Sequence, residues 1–243
     1  MVVATFSLGL GIMTQLYPGS APEIPSPPTL SSTDRPSPAP VAPVAPVAPV
    51  APVAPLLSEA VQLWKQKQLD AALDKVNAAL QSAPQNSEAY GLRGSIYAEK
   101  KLWHQAENDY QIAIQLDGKN AAMKFSLAEI EFMQKKYDDA RPGFLALRQD
   151  PNIGDLASYM VFLCDLFGGH ERASASELDA FNQVGSNASY YFANAAWSLY
   201  HQKPEDAQNW LMSAARIYAP NKFKLYAASL IALGYMHPPS PRN

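Results

Sequence analysis

Cys164 is the chain's single cysteine, so it can form neither an internal disulfide nor a thiolate metal site. It stands in the apolar run Tyr159-Met160-Val161-Phe162-Leu163-Cys164, where a small buried hydrophobe is the expected role. The four histidines, His104, His170, His201 and His237, are scattered, and none has another four residues away. Two close carboxylate pairs, Glu129 with Glu131 and Asp138 with Asp139, have the residue types that acid–base work needs. Their polar surroundings read as a solvated helix face instead. No glycine-rich phosphate loop, HExxH motif or nucleophile elbow occurs. These residues predict no catalytic group, no metal and no cofactor. The formal net charge of -3, with no stretch collecting Lys and Arg, also argues against a nucleic-acid partner.

One constellation is suited to binding. Phe125, Glu129 and Phe132 are spaced i, i+4, i+7 and share one helical stripe, distinct from the stripe of Leu127 and Ala128. A stripe buried throughout would rarely keep a glutamate at its centre. Two readings stay open: the phenylalanines pack between neighbouring helices, which is the favoured one, or they line an aromatic groove.

The elements that position this stripe follow a period. Ala72, Ala106, Ala140, Ala173 and Ala207 each open an amphipathic segment after a short polar turn, and their numbers differ by 34, 34, 33 and 34. Three residues before each stand Leu69, Trp103, Tyr137, His170 and Pro204. Tyr90, Arg93, Gly94 and Tyr97, then Ala106, Tyr110 and Ala113, with Gly118 as closure, make the second unit. Leu56, Ala60, Leu63, Ala72, Val76, Ala79 and Pro84 make the first. The third holds Leu127, Ala128, Ala140 and Phe144, with Glu131 in an aromatic slot and Pro151 closing early. The fourth reads as degenerate: Glu177 takes the aromatic slot, and Gly168-Gly169 is expected to loosen the turn. The fifth keeps Tyr191, Ala195, Ala207, Leu211, Ala214 and a late Pro220.

This pattern resembles the tetratricopeptide repeat, a helix–turn–helix unit of about 34 residues. The resemblance implies an all-α, right-handed α-solenoid of about five units, with a C-terminal capping helix from about Asn221 to Leu233. That helix carries Phe223, Tyr226, Leu230 and Leu233 on one face. The resemblance also implies a protein or peptide partner held on the concave face by the first helix of each pair. The candidate lining is Trp64, Lys65, Ser95, Glu99, Phe125, Glu129, Phe132, Met133 and Phe162. The carboxylate clamp of some family members does not carry over, because Leu57, Val61, Leu92, Ala122 and Ser126 hold its positions.

Four segments are expected. Residues 1–17 are apolar without the basic start of a secretory signal, and read as the remnant of a signal or membrane anchor. Residues 18–55 are proline-rich, with an Ala-Pro-Val repeat whose locked φ excludes helix and sheet. A polyproline stretch from Pro36 to Pro55 would span roughly 60 Å as a disordered, semi-rigid stalk. Residues 56–237 form the repeat domain and 238–243 a disordered tail. Together these predict an exported or membrane-attached, non-enzymatic adaptor or scaffold of the cell envelope. The alternative is a structural subunit of a larger complex, with the stalk as a tether.

Overall fold

A computed structural model describes residues 52–184 and 187–236. Residues 1–17, nearly all of the stretch 18–55 and the tail 238–243 lie outside the described residues. Among those described there are eleven α-helices and no strand. The first helices of the five units are α1 (Val53–Lys65), α3 (Ser87–Glu99), α5 (Ala121–Met133), α7 (Gly154–Phe167) and α9 (Ala188–Tyr200). Their partners are α2 (Leu69–Ser82), α4 (Trp103–Leu116), α6 (Tyr137–Leu145), α8 (Glu171–Val184) and α10 (Pro204–Ile217). A lone α11 (Pro220–Ala232) follows.

Local chemistry explains the helix starts. Asn86, Asn120 and Asn187 cap α3, α5 and α9, each side chain accepting the N–H three residues on, at 2.8, 3.1 and 3.0 Å. Pro204 and Pro220 open α10 and α11, where a proline's missing N–H would be unpaired in any case. Pro220 thus begins the last helix instead of closing the fifth unit. The same rule moves the first boundary: α1 already runs through Val53, Ala54 and Pro55, because a first-turn N–H has no partner in the helix.

Each first helix, and the lone α11, ends in one repeated turn. Lys67, Lys101, Lys135 and Gln202 hold φ of 63, 60, 62 and 58°, and Gly169 and Gly234 hold 84 and 83°. The following N–H reaches back five residues: Gln68 to Leu63, Leu102 to Tyr97, Lys136 to Glu131, His170 to Asp165, Lys203 to Ser198 and Tyr235 to Leu230, at 2.8–3.0 Å. These are Schellman ends. The turn at Gly168-Gly169 is therefore built like the others, and Gly169 supplies the left-handed residue at least steric cost. The fourth unit is also less degenerate than its sequence suggests. With Glu171 as the first residue of α8, the small buried residue is Ser174 (0% exposed), not the half-buried Ala173. Leu178 then takes the large apolar slot, while Glu177 points to Arg148 at 2.5 Å.

Small residues set the pairing distance. Ala60, Ala72, Ala106, Ala140 and Ala207 are buried at the helix crossings, and a side chain at Gly94 would meet the Tyr110 ring at 3.3 Å. Three core clusters result: one over unit one and α3, a smaller one around Tyr110 and Ile130, and a large one running from Ala122 to Leu230. Helix α7 is the axis of the last, with buried side chains on every face from Leu156 to Leu166. The final helix folds back onto it. Tyr226 donates its hydroxyl to Asp155, and the Tyr159 and Tyr226 rings lie 5.5 Å apart. No described helix is long and apolar enough to cross a membrane.

Candidate partner-binding face

The first helices carry all nine expected contact residues, but most are committed to the fold. Phe125 (0% exposed) meets Phe144 edge-on at 5.0 Å, and Phe132 (1%) meets Tyr137 at 5.2 Å. Phe162 lies against Phe181 at 6.0 Å inside the C-terminal core. The aromatic-groove reading of these three side chains is therefore corrected. The i, i+4, i+7 spacing places Phe125 and Phe132 on one face, and the second helix of the same unit covers that face.

Trp64 and Glu99 are brought together. The buried Trp64 donates Nε1–H to Glu99 Oε2 at 2.5 Å, and Lys67 Nζ holds Oε1 at 2.6 Å. This pair joins units one and two, and the Glu99 side chain is nearly fully covered. Ser95 is buried as well, donating to the Gly91 carbonyl at 2.9 Å and sharing a hydrogen bond with Tyr110 Oη at 2.8 Å. Met133 is half-buried and Lys65 is exposed.

Glu129 is buried with its stripe and does not lie on the solvated face expected of it. It is 8% exposed, and its Oε1 is buried with no hydrogen-bond partner among the described residues. Desolvation pushes its carboxyl from 4.5 up to about 8. Its charge acts on Tyr110, whose hydroxyl bonds Ser95, and burial raises the Tyr110 phenol in turn. Glu131, on the opposite side of the helix, is half-buried and raised by burial first, then by Asp139 and Glu107.

Other acids and bases serve packing. Arg93 grips Asp109 through Nε and Nη2 at 2.7 and 2.8 Å and reaches Asn77 with Nη1 at 2.9 Å. Arg141 repeats the bidentate grip on Asp165 at 2.7 and 3.0 Å. Asp155 receives Asn187 and Ser189, each at 2.7 Å, besides Tyr226. Cys164 is 1% exposed and burial pushes its thiol up, which keeps it unreactive. No group of His, Cys, Asp and Glu among the described residues is placed to hold a metal.

Two exposed features were not foreseen. Both lie at the turns that end the first helices and α11. Lys65, Lys67, Lys100, Lys101, Lys135 and Lys136 occupy the first three turns, and Phe167, Tyr200 and Tyr235 the later ones. Phe167 touches Tyr200 and Tyr235 at 5.8 and 5.4 Å, and both tyrosines are exposed. The signal for the lysines was in the sequence: Lys67, Lys101 and Lys135 are 34 residues apart.

The tetratricopeptide repeat family profile matches residues 57–103 and 101–152. No curated protein matches the chain. Among solved structures it is similar to YrrB, described as a TPR protein with an unusual peptide-binding site. The TM-score is 0.51 at 19% identity, over 74% of this chain and 93% of that one. It is also similar to PilW, described as a type IV pilus biogenesis factor, with TM-score 0.56 and 16% identity over 75% and 86%. A tetratricopeptide repeat protein from Parabacteroides merdae gives TM-score 0.55 and 18% identity over 74% and 71%. At these identities the likeness establishes the fold.

Proposed function

We propose that this chain, a tetratricopeptide repeat protein, is a non-enzymatic adaptor that holds a protein or peptide partner. One observation carries the reading. Helix pairs follow one another from Val53 to Ile217, and many of their buried polar groups are tied up within and between the pairs: Glu99 to Trp64 and Lys67, Asp109 to Arg93, Asp165 to Arg141. What such an array offers is surface. The sequence supports an envelope setting, since an apolar segment (1–17) precedes a proline-rich spacer (18–55) suited to holding a domain off a membrane.

The test is affinity capture with the full chain from cells that produce it, followed by titration of the purified partner against the purified chain. Saturable binding with a defined stoichiometry supports the adaptor. A folded chain that retains no partner under either condition refutes it. A second reading, a permanent structural subunit, is favoured by the exposed Tyr200 and Tyr235 around Phe167, an apolar patch of the kind assemblies cover. It expects a complex that survives gel filtration at high salt, and a Tyr200→Ser/Tyr235→Ser variant that loses it.

A further inference from the structure

We infer that the edge formed by the first three turns docks an acidic segment of the partner, gripped by Lys65, Lys101 and Lys135. This rests on the adaptor reading and names the chemistry of what it holds.

The first observation is conformational. Lys67, Lys101 and Lys135 all sit in the left-handed region, at φ of 63, 60 and 62°. Side chains with a Cβ are disfavoured there. The fourth and sixth turns have the same backbone and carry glycine, at Gly169 and Gly234. A cation near a helix C-terminus recovers part of the cost, yet those two glycines show that the turn closes without one. Lys67 uses its place to hold Glu99 at 2.6 Å, whereas Lys101 and Lys135 stand in the same strained position without an ion pair among the described residues, which leaves both open to a partner.

The second observation is that the turns form one continuous edge. Lys100 reaches Asp70, Lys136 reaches Glu107 at 3.6 Å, His170 reaches Asp138 at 2.8 Å and His201 reaches Glu171 at 3.2 Å. Each pair joins the turn region of one unit to the second helix of the unit before, so consecutive turns are neighbours. The fold thereby assembles a basic row that no stretch of sequence contains.

The third is the balance of charge along it. Glu99, Asp70 and Glu107 engage Lys67, Lys100 and Lys136. Lys65, Lys101 and Lys135 are exposed and have no ion pair among the described residues. The row stops at Asp138 and Asp139, and the later turns carry the uncharged Gly169, Gln202 and Gly234. A membrane extending along the edge would meet Asp138, Asp139, Glu171 and Glu205. A short acidic segment lying over three turns meets Lys65, Lys101 and Lys135 beside Asp70 and Glu107, which Lys100 and Lys136 already engage, and stops before Glu171 and Glu205, which makes a peptide the better occupant.

The experiment uses the full chain and a short fluorescein-labelled glutamate-rich peptide, read by anisotropy at low and high salt. A lysine-rich peptide and phosphatidylserine vesicles serve as comparisons. The wild-type chain should bind the glutamate peptide, more weakly as salt rises, and should prefer it to both comparisons. K101G/K135G should bind it at least about fivefold more weakly, as loss of two exposed ion pairs implies. Its melting temperature should hold or rise, because glycine relieves both strained turns. K222Q/K224Q, on α11, should bind like the wild type. Unchanged peptide affinity in K101G/K135G, a lowered melting temperature, or preference for the vesicles would overturn the inference. Capture of the natural partner by K101G/K135G at wild-type affinity would move the docking surface elsewhere and leave the adaptor standing.

Discussion

Replacing Glu129 by glutamine should make the protein more stable, and increasingly so as pH rises. The carboxyl is buried, its Oε1 lacks a partner among the described residues, and desolvation lifts it from 4.5 to about 8. Between those values the unfolded chain releases this proton while the folded chain keeps it, so wild-type stability falls as pH climbs through the window. At about 1.4 kcal/mol per unit, the deficit is a little under about 1 kcal/mol at pH 5. It reaches about 3 kcal/mol at pH 7 and approaches about 5 kcal/mol above pH 8. Glutamine keeps the shape and drops the charge. The raised Glu131 is present in both proteins and cancels in the difference. Thermal and urea melts of both proteins from pH 5 to 9 should therefore diverge, with the variant melting roughly 6–12 °C higher at pH 7 for a domain of this size. Parallel curves would show that Glu129 is ionised and hydrated in the native state, and the account of its burial would fall.

The remaining expectations are simpler. Phe125→Ala and Phe132→Ala should each destabilise by about 3–5 kcal/mol; a change within about 0.5 kcal/mol, as for an exposed site, would return them to a groove. Gly169→Lys should cost about 1 kcal/mol by urea melts, since a Cβ there meets nothing within 4 Å and only the positive φ resists it; an unchanged midpoint would remove the strain argument for the lysine turns. A fragment beginning at Pro52 should give the circular dichroism of a helical protein and a cooperative melt, whereas one beginning at Leu56 loses the first turn of α1 and should melt lower. Equal melts would place Val53 to Pro55 outside the folded unit.

The period was legible because every unit repeats the same mechanical solution, a small residue where helices cross and a large one a turn later. It failed in the fourth unit for a specific reason. Serine fills the crossing at Ser174 as well as alanine would, and the neighbouring Ala173 drew the register one residue off, which put Glu177 where Leu178 belongs. Pro55 misled in another way, since a proline that breaks a helix interior is harmless in a first turn. Helical spacing assigned Phe125 and Phe132 to one face, but spacing carries no information about what lies over that face. Here Phe144 and Tyr137 do. The spacing of Lys67, Lys101 and Lys135 was in the sequence, but that they stand in one row follows only from the stacking of the turns.

In an array whose units touch only their neighbours, an added unit can in principle enter at any junction. The return of α11 to α7 limits where that works in this chain. Tyr226 reaches Asp155 across a single intervening pair, α9 and α10, so a unit added between α8 and α11 would carry the tyrosine beyond its partner. Asp155 would be left with Asn187 and Ser189 alone, or with none of the three. Among the described residues ahead of α5 the joining bonds run between adjacent units, and a duplicate placed there would keep them. The bond of Tyr226 to Asp155 thus sets the spacing of the last units, and no described bond sets that of the first ones in the same way.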